Sequence, residues 1–310
     1  MMNNTIVTAG DMNYLPGIFL MIASLRMNGM NEPVIVGAFR FGPEAADFLK
    51  PLGKVEIFPL DDFSRSLTCS KPLVMLQAET EYVTWVDGDG FFMGNCSARL
   101  IPESPEEIHI RMREPAENRA AFHRCSCGGD GRSIPEKILS VWRKNVGGLE
   151  TARISRSCSA CFLSVHRRHR AFLEKWHEQM TSVLPAVNAG VVDRSLPYYH
   201  QLDESVLNSC LAFFPDAPRV AGCYRLDKHP DELFIHFAGQ PKPWRGWTPA
   251  AFRHFDRYVS VAEFAVSQGW RIPGGIPYCL KRKYRTWCGL LRQAVSLKYK
   301  LQKRLHPWFS

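Results

Sequence analysis

Long apolar runs are missing from this chain of 310 residues. None approaches the roughly 20 consecutive apolar residues that a membrane-spanning helix needs, so no span is expected. The N-terminus, MMNNTIVTAGD, lacks the basic-then-apolar pattern of a signal peptide and turns polar again within a few residues, so a cytoplasmic chain is expected. Internal repeats and low-complexity linkers are absent too. No boundary stands out until QGWRIPGGIPYC, at about residue 270, breaks the pattern with Gly and Pro. Ten cysteines are present. Without a secretion signal they read as reduced thiols and not as a disulfide framework. One group, HRCSCGG (His123, Cys125, Cys127) with CSAC (Cys158, Cys161), admits either a structural zinc or a plain glycine-rich loop. Its spacing matches no strong zinc template.

Acidic residues are missing from one region only. Residues 279–310 hold nine Lys or Arg and no Asp or Glu, which leaves 30 basic against 30 acidic residues elsewhere. The net charge of +9 therefore sits on the C-terminal tail. A nucleic-acid enzyme more often spreads its basic residues over a working face, so nucleic acid is not expected as a partner.

What is present alternates. TIVTA, PVIVGAF, KVEIFPL and YVTWVD read as strands, and residues 14–28, PEAADFLKPL and SKPLVMLQAE read as the helices between them. This alternation predicts an α/β fold with a mostly parallel sheet. Further on, EEIHIRMRE, SACFLSVH and LFIHFAG read as strands. PEKILSVWRKNV, HRAFLEKWHEQMTSVL and DESVLNSCLAFF read as helices, the last capped by its aspartate.

The fourth strand ends in DGDG. Two carboxylates, Asp87 and Asp89, stand one residue apart between apolar segments. A tight polar turn explains them. So does a divalent cation at the carboxyl end of a buried strand, where open α/β sheets bind ligands. Gly88 and Gly90 leave room for close approach. Far downstream, IHFAGQPKPWRGW ends a strand in His236 and sets Lys242 between two prolines beside Trp244. His236 alone fits either a packed histidine or a metal ligand. Imidazole in the set favours Mn²⁺ over Mg²⁺.

Together, WVDGDGFF and HFAGQPKPW resemble the two metal and diphosphate motifs of family 8 glycosyltransferases, the group that includes glycogenin and bacterial lipo-oligosaccharide galactosyltransferases. IVTAGDMNYLPGIFLMIASLR is similar to the family's first strand and nucleotide-binding turn. SKPLVMLQAETEYVTWVDGD is similar to its lysine-bearing helix and DxD strand, and LDESVLN to its DQD-x-LN segment. The likeness runs colinearly over about residues 5–250. It implies a GT-A fold, a Rossmann-like α/β/α sandwich, over residues 1–268, with 269–310 as a basic, aromatic tail. It also implies a nucleotide-sugar donor, usually UDP-linked, Mn²⁺ (Mg²⁺ as the alternative) and transfer of a hexose with retention. Thr8, Ala9, Asp11 and Asn13 would line the uridine site, with Tyr14 either beside them or packed. Asp87, Asp89 and His236 would ligate the metal. Lys242 and the backbone near Gly88 and Gly239 would hold the diphosphate, and Lys71 would help neutralise it.

Two segments depart from the family pattern. Glu204 stands where the family has glutamine. It would stabilise an oxocarbenium-like centre or act as a nucleophile, unless it serves only the helix dipole. Asp203 reads as a donor-sugar contact or a helix cap. Ser159-Ala160-Cys161 replace the family's Asn-Ala-Gly, and a literal NAG at Asn188–Gly190 reads as a decoy loop.

In the tail, Leu290, Ala294, Leu297, Leu301 and Leu305 recur at helical spacing among basic residues, with Trp287, Tyr299, Trp308 and Phe309 interleaved. Such a helix suits an anionic membrane surface. It also suits packing on the body with a solvated basic face. The expected function is transfer of a hexose from a UDP-sugar to a glycolipid or lipopolysaccharide-type acceptor at the inner membrane face. The alternatives are a protein or soluble saccharide acceptor, or a non-catalytic nucleotide-sugar or nucleic-acid binding protein.

Overall fold

The structure, a computed structural model, describes residues 3–60, 67–123, 129–185, 196, 198–220 and 234–305, with the backbone alone at 303–305. In chain order its strands are β1 (Asn4–Gly10), β2 (Val34–Phe39), β3 (Val55–Leu60), β4 (Tyr82–Val86), β5 (Gly90–Phe92), β6 (Glu107–Met112), β7 (Cys158–His166), β8 (Arg219–Val220) and β9 (Phe234–His236). The helices are α1 (Leu15–Met27), α2 (Ala45–Leu49), α3 (Lys71–Met75), α4 (Ser97–Leu100), α5 (Pro115–Phe122), α6 (Glu136–Val146), α7 (Arg170–Val183), α8 (Asp203–Phe213), α9 (Phe255–Ser267) and α10 (Arg285–Leu305). A mixed, mostly parallel seven-stranded sheet has the order β3-β2-β1-β4-β7-β6-β8, as the strand–helix alternation predicts. A second sheet holds β5 and β9.

Contacts divide the chain into two compact units. The first comprises residues 1–9, 60–86 and 97–225. In it β4 is parallel to β1 and antiparallel to β7. Val83, Thr84, Trp85 and Val86 are all buried, so β4 reads as a continuous apolar run and not as an alternating one. Trp142 of α6, Phe172 and Trp176 of α7 and Phe213 of α8 form the helical side of this core.

The second unit comprises residues 10–59, 87–96 and 226–310. Helix α1 is apolar on nearly every side and is buried from Ile18 to Leu25 against β5 and α9. Around it Phe91, Phe237, Trp247, Phe255 and Tyr258 interlock. The Phe91 and Phe237 rings stack with centroids 5.4 Å apart.

Three local expectations are refined. PEAADFLKPL forms only the short α2 and a following 3₁₀ turn, because Pro51 withholds the N–H that would extend the helix. The expected aspartate cap of α8 is not formed. Leu202, at φ 53°, occupies the cap position, and Asp203 lies inside the helix with its carboxylate committed elsewhere. The tail does form a helix, but its leucine stripe faces solvent: Leu290, Leu297 and Leu301 are 69%, 57% and 47% exposed. The less exposed face is Cys288, Arg292, Val295 and Tyr299, and the Arg292 guanidinium lies 5.0 Å from the Phe252 ring centroid. Trp308 and Phe309 lie outside the described residues, as do Asn188–Gly190. Among the described residues no helix is long and apolar enough to cross a membrane.

Candidate metal and sugar sites

In the second unit, the pairing of β5 with β9 brings the distant histidine to the two aspartates. Gly90 stands opposite His236, and the N–H of Phe237 donates to the Asp89 carbonyl at 3.0 Å. A side chain at Gly90 would come within 2.3 Å of the Phe234 ring, so glycine is what allows this approach. The turn between the aspartates closes with the Gly90 N–H on the Asp87 carbonyl at 3.2 Å.

The result is a three-residue donor set. Nε2 of His236 lies 3.1 Å from Oδ1 of Asp89 and 3.6 Å from Oδ2 of Asp87. One ligand atom from each residue falls within 4.8 Å of the others, and among the described residues this is the one cluster able to hold a metal ion. The donors fit a hard or borderline divalent cation. Asp89 strengthens the fit, because its buried Oδ1 has only the His236 imidazole beside it, at 3.1 Å, and a buried carboxylate oxygen placed against a second metal-ligating atom suits a shared cation. Burial pushes the Asp89 carboxyl up, but His236 and Lys242 outweigh it and hold it well below the usual carboxylate range. Cys158 and Cys161 form no such cluster among the described residues, and Cys125 and Cys127 lie outside them.

Lys242 is buried, and its Nζ pairs with Asp89 Oδ2 and donates to the Phe237 carbonyl at 2.8 Å. Its charge is thus already partnered within the clamp. Gly239 has φ +83° with open space around it, the left-handed conformation that favours glycine. Asp11 organises the turn into α1, since Oδ1 accepts the N–H groups of Asn13 at 2.9 Å and Tyr14 at 3.2 Å. Asn13 is tied in turn to the downstream motif: its carbonyl accepts from Trp244 Nε1 at 3.2 Å and its Oδ1 from Arg245 at 2.8 Å. Gly17 makes the contact possible, because a Cβ there would meet Trp244 at 2.3 Å and the Gly88 carbonyl at 2.7 Å. The predicted uridine turn, Gly88 and the KPW segment therefore meet around one glycine.

In the first unit, Thr8 is wholly buried, with its hydroxyl unpartnered, while Ala9 is half-buried. At 0% exposure Thr8 presents neither side chain nor backbone to a ligand, and the sequence expectation for it is not met. The remaining sequence-predicted residues gather around Ala160. Buried Lys71 donates to the Ala160 carbonyl at 2.9 Å and pairs with Asp203 Oδ2 at 3.1 Å. The Ala160 N–H donates to Glu204 Oε2 at 2.9 Å, and Glu204 Oε1 pairs with Arg113. Sequence reasoning missed Arg113. An arginine just after a strand carries no motif, and only the pairing of β6 with β7 brings it near α8.

No protein-family profile and no curated protein matches the chain. Solved structures do. The chain is similar to the apo form of WbbM, a bifunctional glycosyltransferase, at TM-score 0.55 and 12% identity, covering 84% of this chain and 49% of that one. It is similar to apo GlyE, a glycosyltransferase of Streptococcus pneumoniae TIGR4, at TM-score 0.51 and 12% identity, covering 86% and 64%. A second GlyE structure gives 0.50 and 14%, covering 87% and 64%. The chain thus spans about half the length of WbbM and under two thirds of GlyE. The class defined is the α/β fold of GT-A glycosyltransferases, carrying an Asp-x-Asp and histidine cluster suited to a divalent metal.

Proposed function

We propose that the chain is a metal-dependent, retaining glycosyltransferase. It moves a hexose from a UDP-sugar to a glycolipid or lipopolysaccharide-type acceptor. The observation that carries this reading is the convergence of Asp87, Asp89 and His236 on a glycosyltransferase fold. The family 8 resemblance of the motifs supplies the donor class and the stereochemistry.

Asp87, Asp89 and His236 hold the cation, Mn²⁺ in preference to Mg²⁺ because of the imidazole. When bound, such a cation offsets the charge that develops on a leaving diphosphate. Asp11, Asn13 and the Gly88 and Gly239 backbones hold the nucleotide, with Ala9. Lys242 serves the diphosphate, and to do so its ammonium must exchange Asp89 for phosphate oxygens. Lys71 and Asp203 orient the donor sugar. Glu204 supplies negative charge where the anomeric centre turns cationic.

The exposed leucine stripe of α10, flanked by Lys298 and Lys300, supports peripheral attachment to an anionic membrane. Each basic group near such a surface is worth about 1 kcal/mol. In this reading the reaction runs on the inner face of the membrane, with residues 269–310 as the attaching tail.

The test is a thermal-shift screen of nucleotide sugars with and without Mn²⁺, followed by assay of UDP release. A ligand selective for the folded state raises its melting temperature by mass action. Stabilisation by a UDP-sugar only when Mn²⁺ is present is the expected result. Indifference to every nucleotide sugar under both conditions would sink the reading.

A further inference from the structure

The largely covered charges of the first unit include one that no motif predicts. Arg113 follows β6 directly, and its guanidinium is boxed in. Nη1 donates to Ser157 Oγ at 3.1 Å and to the Cys158 carbonyl at 3.2 Å, while Nη2 pairs with Glu204 Oε1. The Arg113 N–H is itself held by the Ser157 carbonyl at 2.8 Å. Those partners are fixed in turn. Asn118 Oδ1 accepts the N–H of Ser157 at 3.0 Å and its hydroxyl at 2.8 Å. Asn208 of α8 clasps Cys158, accepting its N–H at 2.6 Å and donating to its carbonyl at 2.9 Å. The guanidinium cannot swing aside without breaking this lattice.

Glu204 is held as firmly. Oε2 accepts the Ala160 N–H and Oε1 meets Arg113, and the two side chains are only 15% and 13% exposed. A carboxylate this far from solvent is costly without a charged partner, and Arg113 is that partner. Burial pulls the Arg113 guanidinium down, but Glu204 more than offsets this and raises it. Arginine suits the task, because its planar fork bridges several oxygens in one fixed geometry.

From this geometry we infer that Arg113 is a positioning residue for Glu204. It holds the carboxylate in one orientation with both oxygens engaged, so that Glu204 faces a donor sugar as a fixed negative charge and not as an attacking nucleophile. Attack on the anomeric carbon would draw electron density from an oxygen that Arg113 or the Ala160 N–H already engages, which lowers its nucleophilicity and works against both contacts. The inference rests on the proposed role of Glu204 at the donor sugar.

The test uses the full chain with UDP-galactose and UDP-glucose, Mn²⁺, and UDP release as the signal, with folding checked by urea denaturation. Arg113→Met is expected to lower kcat roughly 10- to 100-fold, as misplacement of a catalytic group does, with little change in donor KM. Arg113→Lys recovers part of the loss. The double variant Arg113→Met with Glu204→Gln turns over faster than Arg113→Met alone, because a neutral amide needs no counter-ion. Glu204→Gln alone keeps measurable turnover.

A merely structural ion pair would shift the urea midpoint and leave kcat untouched, and that outcome overturns the inference. So does complete loss of turnover in Glu204→Gln with normal donor binding, which marks a nucleophile. If Arg113→Met does not fold, Arg113→Lys decides: an unchanged kcat there counts against the positioning role. Wild-type protein that neither binds nor turns over either UDP-sugar removes the site reading itself, whereas an active wild type with an indifferent Arg113→Met removes only Arg113.

Discussion

Nε2 of His236 lies 3.1 Å from Oδ1 of Asp89 because β9 pairs with β5 in the register that sets His236 opposite Gly90. Asp89 is the most buried of the three donors and also balances Lys242. Asp89→Ala is therefore expected to abolish Mn²⁺-dependent UDP-sugar turnover and to strand a buried ammonium, at a cost of about 3–5 kcal/mol in stability. Turnover assays and urea denaturation check both parts. Unchanged turnover would refute the metal assignment.

Chelation separates the metal's role from the fold's. The cluster lies at a turn, while the aromatic core of its unit closes without it. EDTA is expected to remove UDP release while leaving the circular dichroism spectrum native, and Mn²⁺ should restore activity better than Mg²⁺.

Gly17→Ala should be costly for so small a change. The added carbon would meet the Trp244 ring at 2.3 Å and the Gly88 carbonyl at 2.7 Å, and the helix and the indole cannot both stay in place. Overpacking of this kind costs about 1–3 kcal/mol. Denaturation would show the loss, and thermal shift should show weaker stabilisation by UDP-sugar with Mn²⁺.

The membrane claim needs a gentler variant than truncation. Removing residues 279–310 would also take away the Cys279 carbonyl that accepts from buried Trp247 Nε1 at 2.9 Å. Changing Leu290, Leu297 and Leu301 together to Ser touches only exposed side chains. Each leucine buried in lipid is worth about 1.5–3 kcal/mol, so flotation with anionic liposomes should fall at least tenfold while donor hydrolysis stays intact. Added salt should weaken wild-type binding as well. Wild-type chain that ignores anionic liposomes at low salt would end the claim.

Thiol chemistry should follow burial. Burial pushes Cys210 and Cys279 up to about 12, so both stay protonated at neutral pH, and thiolate forms only as the pH approaches that value. Cys161 is half-buried. Iodoacetamide at pH 8 followed by mass spectrometry should label Cys161 well before either; prompt labelling of Cys210 would contradict the packing.

Local signals carried much of this protein. The apolar run YVTWV marks a buried strand, since a segment covered on both faces needs no polar alternation. The two aspartates behind it mark a turn or a site. The apolar helix at residues 15–27 and the paired glycines at DGDG follow from composition alone. Tertiary structure decided the rest. Which histidine joins Asp89 depends on strand register between segments separated by β6 to β8 and α4 to α8, and register is a property of two segments together. Whether Asp203 caps a helix or pairs with Lys71 turns on where α3 lies. The leucine stripe of α10 is legible as periodicity, but periodicity does not say which face the body takes. Arg113 leaves no trace in sequence, because its value comes from Glu204 and Ser157, residues far along the chain that only folding makes its neighbours.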